Sequence, residues 1–567
     1  MLAIFKREFK SYFQNVIGWL FVAALLVVYG LYFYVYNLKN GYPYISYDLK
    51  GIGFIMMIAV PILTMRSLSD EKKTKTDQLM LTSPVSVGRI VAGKYLAMAA
   101  VYTIDIALFA LSPLVLSIYG KVALSEAYVA LFGYWLYGLS CIAVGLFISS
   151  ISESVIISAI LTFAALFLLY MMQSITGLIS SSGNLLTKVL NCFDLYTPFE
   201  NFVSGCFSVT SAAYYVTVIL LLCFLTTQSI QKRRWAFSKK MIGTGAFSAG
   251  MIVIMCAICV VVNLVVTALP TRYTSIDCSA TKLYSLTSDT KDRISKLDED
   301  ITIYVLNSRK SKDAKIDETI NRYKDLSSHI KVKYVDPATS PKFYQDYTDT
   351  TPTTNSLIIE SKNRSKVIDY NDIYEYDSSS YYYGYQSQSS ITGFDAEGQI
   401  TSAIEYVTMD ADELPVIYQI TGHNETEIGS NFQSVVSKAN ANLKSLELFN
   451  EEKVPDTDEN GPFTTGLAVN DSSTGASIVV FGTPYVVDDS YDNAVAGNNA
   501  DMFKDVITSM TGNVELASSV IPVKDYTLSN ITINTLQAVI TGLIIMIAVP
   551  ILLIIIGIVV WAMRRKK

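Results

Sequence analysis

The stretch Gly88-Arg-Ile-Val-Ala-Gly93-Lys94-Tyr95 has the G-x-x-x-x-G-K spacing of a phosphate-binding loop. In such loops backbone N–H groups cradle phosphates, and the next residue must be Ser or Thr so that its hydroxyl ligates magnesium. Here that residue is Tyr95. Ser83-Pro84 precedes the stretch, an N-cap followed by an N1 proline, which starts a helix and not the strand a phosphate loop needs. Nucleotide binding is therefore rejected, and the glycines read as close-packing positions on a helix. Cys256-Ala-Ile-Cys259 has redox or metal spacing but lies inside an apolar run of membrane length, so neither chemistry is expected. Seven cysteines in 567 residues are not a disulfide framework. Cys192 and Cys206 share one loop, and geometry decides whether they bridge.

The two histidines, His329 and His423, are far apart, and no G-x-S-x-G elbow occurs. Metal sites want clustered ligands, so no metal and no catalytic residue is expected. His423 stands in Thr421-Gly-His-Asn-Glu-Thr-Glu427, just after a strand-like run. Loops after parallel strands are where α/β domains bind ligands. His423 and Glu425 are thus candidates, set against a plain turn with a satisfied histidine. Asp105, in Thr103-Ile-Asp-Ile-Ala107, is a carboxyl near the middle of an apolar run. A charge there costs roughly 2.5–3.5 kcal/mol on the insertion scale. Such residues face the protein interior and mark a pathway or a buried partner. Tyr102 and Thr103 are available to hydrogen-bond it, so helix packing and function both stay open. Asn263 is the other strongly polar residue at such a depth.

The loop Arg66–Lys94 is polar over Asp70–Asp77, apolar at Leu79, Met80 and Leu81, then reads Thr82-Ser83-Pro84. That is a short surface helix with an apolar edge. It suits docking into a partner's groove, or it is an ordinary interfacial helix.

The elements that position these residues are membrane helices. The chain is 51% hydrophobic and 17% charged, and the shortfall in charge is local: Ile17–Tyr36 has none, while Lys282–Lys312 is dense in it. A spanning helix needs about 20 apolar residues. Eight runs qualify: Val16–Tyr36, Gly51–Met65, Leu96–Tyr119, Tyr128–Ser149, Val155–Ile175, Ala212–Ser229, Thr244–Leu269 and Leu536–Met563. The second is short, is expected to start nearer Leu49, and is blurred by Pro61. The first is too long for the h-region of a cleavable signal. Lys and Arg cluster before the first run, between the second and third, between the sixth and seventh, and at the C-terminus. Eight spans place every cluster on one side, which the positive-inside rule makes the cytoplasm. Both termini are then cytoplasmic and residues 270–535 lie outside. The net charge of −6 points to no particular partner, and with no basic stripe outside the membrane flanks no nucleic-acid partner is expected.

The outside segment alternates strand-like and helix-like runs. Strands are expected at Ile301–Leu306, Ile330–Val335, Leu357–Glu360, Lys366–Tyr370, Val416–Ile420 and Ser477–Phe481, and helices at Asp313–Leu326, Glu397–Thr408, Phe432–Leu446 and Ala500–Met510. This predicts an α/β domain with a largely parallel sheet. Asp377–Ser390 is Tyr/Ser-rich, an exposed loop or an aromatic ligand patch, and Phe449–Phe463 reads as an acidic linker. The fold class is thus an α-helical multi-pass membrane protein with an α/β extracytoplasmic domain between the last two helices. Its parts are residues 1–240 with six helices, 241–269 as the seventh, 270–535 outside, and 536–567 as the eighth helix and basic tail.

Leu63–Ala97 resembles the first cytoplasmic loop of ABC-2-type transporter permeases, in particular the gliding-motility GldF group. The residues that carry this are Glu71, Lys72, Lys73, Thr76, Leu79, Leu81, Thr82, Ser83, Pro84, Val85, Ser86, Gly93 and Lys94. Tyr196–Tyr215 resembles that group's loop before the sixth helix. The second half resembles the companion GldG-type auxiliary protein at Tyr284–Val305, Tyr334–Pro341, Glu397–Thr408, Val416–Glu427 and Gly497–Gly512. It departs from that pattern where only Phe449–Phe463 separates Leu448 from Thr464, which implies an incomplete sheet. The resemblance implies a permease in the cell membrane that exports an unknown substrate. It also implies a separate cytoplasmic ABC ATPase that binds the ATP, a second permease copy, and lipid around both. Glu71–Pro84 would be the ATPase-coupling loop. A different reading is a mechanotransmission or envelope-assembly scaffold, in which the ATPase moves the outer domain and nothing crosses. A membrane-anchored enzyme is disfavoured, because no nucleophile–base pair is visible.

Overall fold

The computed structural model describes the chain except residues 77–84, 180–184, 233–241, 308–312, 363, 377–390, 410–415, 422–427, 430–431, 434, 437–441, 448–465, 471–476, 482–483, 495–497, 512–520, 527, 529 and 566–567. It forms two compact units, Met1–Ser285 with Thr527–Lys567, and Leu286–Tyr526.

The first unit is helical. Among the described residues seven helices are long and apolar enough to cross a membrane: Val16–Lys39, Ser46–Lys73, Val87–Leu116, Leu124–Ile151, Val209–Gln231, Ser248–Thr267 and Thr535–Met563. Val155–Tyr170 and Met172–Ile179 pass the same test only as a pair, bent by 56° at the break, which makes them a broken span or a re-entrant loop. In chain order the bent pair stands fifth among these elements. The second span starts earlier than Gly51 and is segmented: Ser46–Gly51, a 3-10 turn Gly53–Ile55, Met56–Thr64 and Ser69–Lys73. Gly51 and Gly53 mark its break. A Cβ at Gly51 would sit 2.4 Å from the Tyr32 ring, and one at Gly53 2.7 Å from Tyr196. The break therefore lets two tyrosines lie on the backbone, at the cost of helical regularity.

An additional helix, α1 (Leu2–Gln14), precedes the first span. Its Ile4, Phe5, Glu8, Phe9, Tyr12 and Phe13 are half-buried on one face, whereas Lys6, Arg7 and Lys10 are exposed. That spacing is an amphipathic stripe. The fourth span is the most enclosed of all, and the sixth packs along it. The eighth packs on the first, where Gly30 faces Met546 and Gly557 faces Trp19. A short antiparallel pair, β1 (Cys206–Ser208) and β2 (Ser275–Asp277), also belongs to this unit. Cys206 is buried in β1 and Cys192 is exposed, and both stand as thiols.

In the second unit β3 (Ile301–Leu306), β4 (Ile330–Val335), β5 (Leu357–Glu360) and β6 (Ser365–Ile368) form a sheet of order β4-β3-β5-β6. Helix Ala314–Leu326 connects β3 to its parallel neighbour β4. It is capped by the Asp313 carboxylate, which accepts from Lys315 N at 2.8 Å and Ile316 N at 3.2 Å. Ile316, Ile320 and Tyr323 are buried, as their helical spacing predicts. The sheet is mixed and not largely parallel: β3–β5 and β5–β6 pair antiparallel. A second sheet, of β7 (Tyr374–Tyr376), β8 (Ile391–Phe394) and β13 (Lys524–Asp525), is antiparallel throughout. Strands β9 (Val416–Thr421) and β10 (Asn442–Glu447) pair parallel, whereas β11 (Gly466–Asn470) and β12 (Ser477–Phe481) pair antiparallel. The helix expected over Phe432–Leu446 therefore gives way to strand by Asn442. Ladder hydrogen bonds to β9 win there over local helical spacing. The strand expected to reach Tyr370 stops at Ile368, because Asp369 accepts from Asn371 N at 3.0 Å and caps a helical turn.

Candidate functional site

The third-span helix begins at Val87, with Ser86 as its N-cap, three residues after the cap expected at Ser83. Gly93 is a close-packing position, since a Cβ would meet Ile4 of α1 at 3.0 Å. Gly88 is not, as nothing lies within 4 Å of it. The close approach at Gly93 brings α1 alongside the next residue, Lys94, whose side chain is 1% exposed. The Lys94 ammonium donates to Glu71 at 2.7 Å, to the Ser67 carbonyl at 3.0 Å and to Glu8 at 3.2 Å. Arg7 pairs with Glu8 at 2.6 Å and reaches Glu71 at 3.9 Å. Burial works against the charge on Glu8, but Lys94 and Arg7 outweigh it and hold that carboxyl below the usual range.

One buried lysine thus ties three separate elements: α1 through Glu8, the last segment of the second span through Ser67 and Glu71, and the third span that carries it. The short helix Ser69–Lys73 is held from its other side too. Leu68 N and Ser69 N donate to Ser149 Oγ at 3.1 and 3.2 Å, and Lys72 Nζ donates to the Ser150 carbonyl, at the end of the fourth span. The helix closes with Lys75 at φ 59°. Thr76 N donates to Glu71 O at 3.0 Å and Lys75 N to Lys72 O at 3.2 Å. This is a Schellman closure with a non-glycine residue in the left-handed position. Glu71 is therefore fixed twice, by its side chain to the third span and by its carbonyl to the turn that leads into residues 77–84. A cavity of about 470 Å³ opens beside the cluster, lined among others by Arg7, Arg66, Asp70, Glu71, Thr76 and Lys94.

Of the residues expected to form a coupling loop, Glu71, Lys72, Lys73 and Thr76 are thus placed together. Leu79, Leu81, Thr82, Ser83 and Pro84 lie outside the described residues, as do His423, Glu425, the Tyr-rich segment 377–390 and the acidic segment 449–463. Asp105 is fully buried. Its expected partners do not serve it: Tyr102 donates to the Tyr134 carbonyl at 2.7 Å and Thr103 to the Ala99 carbonyl at 2.7 Å. Both Asp105 oxygens lack a hydrogen bond among the described residues. Asn263, by contrast, is satisfied by Thr217 Oγ1 and the Cys259 carbonyl, each at 2.8 Å. Among the described residues no three His, Cys, Asp or Glu side chains cluster as metal ligands.

Sequence reasoning passed over Glu8 and the burial of Lys94. The signal was there. Lys94 sits on the helix face of Ile90, Val91, Ala97, Met98 and Val101, all buried. A cation on such a stripe needs a carboxylate partner.

Residues 280–374 match a domain of unknown function, DUF7088. No curated protein and no solved structure matches the chain. Residues 32–265, which run from within the first span to within the seventh, match the ABC-2 family transporter protein, a transmembrane transport component, so the chain carries an ABC-2 family membrane domain.

Proposed function

We propose that this chain is the membrane subunit of an ABC exporter of the GldF type, fused to a GldG-type auxiliary domain, and that it works in the cell membrane with a separate cytoplasmic ATPase. ATP is bound and hydrolysed on that partner, and two copies of the chain build the path between them. The observation that carries the reading is the Lys94 cluster. It ties the helix Ser69–Lys73, in which the coupling loop 71–84 begins, to α1 and to the third span. A push on that loop reaches membrane helices through ionic contacts instead of being lost in a slack linker. The basic residues at Lys6, Arg7, Lys72, Lys73 and the C-terminus support a cytoplasmic side for this end of the unit and for both termini. On the same count residues 270–535 are extracytoplasmic.

The packed interior favours a second reading. Tyr29, Phe33, Tyr102, Phe109, Tyr134, Phe199, Phe202 and Tyr215 are fully buried side chains of the membrane unit. A stiff aromatic core suits transmission of force to an outer domain, with no substrate crossing. Both readings need the ATPase, and flux assays separate them.

The decisive experiment replaces Leu79 and Leu81 with Asp. Burial of two leucines is worth roughly 3–6 kcal/mol at most, so ATPase association should fall more than a hundredfold while membrane insertion stays intact. Unchanged association and unchanged ATPase stimulation would refute the docking. Topology is tested separately. A cysteine engineered near Asn498 should label from outside intact cells and one near Lys567 should not.

A further inference from the structure

Asp105 is not alone. Asp48, in the first helical segment of the second span, is also fully buried, and neither of its carboxyl oxygens has a hydrogen-bond partner among the described residues. The two carboxyls flank one aromatic cluster. Tyr29 of the first span lies in electrostatic range of Asp48. Its ring stacks on Phe109 with centroids 4.1 Å apart. Phe109 is one helical turn beyond Asp105 on the third span, about 6 Å along the axis. On the other side, Tyr134 of the fourth span lies in range of Asp105 and points its hydroxyl to the Ile52 carbonyl, one turn beyond Asp48.

Among the described residues, the hydroxyls of Tyr29, Ser46, Tyr102, Thr103, Ser112 and Tyr134 are committed elsewhere. Tyr29 pairs with Ser112, and Ser112 donates to the Phe109 carbonyl at 2.7 Å. Tyr102, Thr103 and Tyr134 donate to backbone carbonyls. Ser46 donates to Glu126 at 3.2 Å. The other titratable groups around the pair do not neutralise it. Tyr29 lies in range of Asp48, while on the elements that meet its helix Glu126 accepts from Ser46 and Glu200 of helix Thr197–Val203 is paired with Lys50 at 3.2 Å. Facing Asp105 are Tyr102, Tyr134 and, near both tyrosines, Cys141. The nearest cation on the third span, Lys94, is held by Glu8 and Glu71 three turns away. A buried carboxylate without a partner is costly to ionise, and such a group takes up a proton instead. Both groups are sealed from solvent. The occupant that fits is a proton.

We propose that Asp48 and Asp105 are a proton-loading pair: each carries a proton while the interior is closed and releases it to water when the ATP-driven cycle opens and hydrates the aromatic cluster. The only bond that breaks is the carboxyl O–H, the proton passes to water, and the reverse occurs on closure. This rests on the permease reading for the cycle, but not for the protonated state.

The test is infrared spectroscopy of the full chain in liposomes at neutral pH. Protonated carboxyls give a C=O band distinct from carboxylate. Asp48→Asn and Asp105→Asn should each remove part of that band, and Asp105→Glu should shift its part without removing it, which guards against a merely misfolded variant. No change of the band in any variant would overturn the proposal. With the co-purified ATPase, ATP should convert the same band to carboxylate, and Asp105→Asn should assemble normally yet lose the pH-dependent part of ATP turnover. A band that is present but indifferent to ATP in a hydrolysing complex overturns the release step. If no ATPase co-purifies, the permease reading fails and the release step falls with it, while the band still decides the protonated state.

Discussion

Lys94 Nζ lies 2.7 Å from Glu71 Oε1, with Glu8 Oε1 3.2 Å away on the other side. The lysine is sealed from solvent, and the two glutamates are each about one-fifth exposed, at 17% and 20%. Lys94→Met keeps the stem volume but leaves both carboxylates to the exposed Arg7, 2.6 Å from Glu8 and 3.9 Å from Glu71. Removing one partner of a buried pair costs about 3–5 kcal/mol, and partial exposure of the glutamates places this case near 3 kcal/mol. The pH dependence carries a definite sign. Glu8 has its folded pKa lowered from 4.5. Its contribution is therefore present above pH 4.5 and is lost as pH falls through the folded value. Thermal unfolding of the purified protein should show the gap between wild type and Lys94→Met narrowing as pH drops below about 4.5. A gap that does not change with pH would show that Lys94 acts through packing alone.

The Schellman closure at Lys75 makes a prediction of opposite sign. A non-glycine residue at φ 59° is strained by its Cβ, by about 1 kcal/mol. Lys75→Gly should stabilise the end of helix Ser69–Lys73 by about that amount. Amide exchange at Thr76, whose N–H closes the turn on Glu71, should slow about fivefold. Faster exchange would mean that the turn is held by contacts of the Lys75 side chain instead.

Close approach governs the fourth span. A Cβ on Gly138 would fall 2.3 Å from Tyr102 Cζ, inside the ring of a fully buried side chain. Tyr102 cannot retreat without giving up its 2.7 Å hydrogen bond to the Tyr134 carbonyl. Gly138→Ala should therefore destabilise by about 1–3 kcal/mol, the usual cost of overpacking. Gly138→Ala with Tyr102→Phe should recover little, because the clash is with the ring. Gly138→Ala with Tyr102→Leu should recover more. Melting temperatures of the three proteins in detergent decide this, and equal recovery by both partners would refute the steric account.

How far all this is legible in the sequence differs by element. Spans one, three, four, six, seven and eight announce themselves, because a bilayer demands an unbroken apolar run. The second span hides its start, since Gly51 and Gly53 break the helix to admit Tyr32 and Tyr196, residues distant in sequence. Helix Ala314–Leu326 is legible down to its cap, because Asp313 acts on N–H groups two and three residues on. Strand β10 is not, since what makes Asn442–Glu447 extended is a ladder to β9, some two dozen residues earlier. The same holds for the Lys94 site. Glu71 is near in sequence and stands in the resemblance to the permease loop, but Glu8 meets Lys94 across 86 positions. Local rules see only the lysine. The unpaired state of Asp105 was also out of reach, because it depends on where Tyr102 and Thr103 spend their hydroxyls.

The second unit contains a lysine whose titration should be visible in stability. Lys366, on β6, lies against helix Ala396–Thr408, with Nζ 3.4 Å from Ser402 Oγ and 5.4 Å from the Tyr406 ring. Burial there pushes its pKa down to about 8 from 10.5. A lowered lysine pKa works against folding where the group is charged. Between pH 8 and 10.5 the unfolded chain holds the proton and the folded chain has released it, so stability rises with pH across that window. Below pH 8 both states are protonated and the burden is constant. Lys366→Met keeps the stem against Tyr406 and removes the charge. Its Leu286–Tyr526 unit should resist urea better than wild type at neutral pH. The advantage should shrink as pH rises towards about 10. Limited proteolysis across a urea series, run on the full chain at both pH values, reads the unit's midpoint directly. If the two proteins keep the same separation at both pH values, Lys366 remains charged in the folded unit and the burial argument fails.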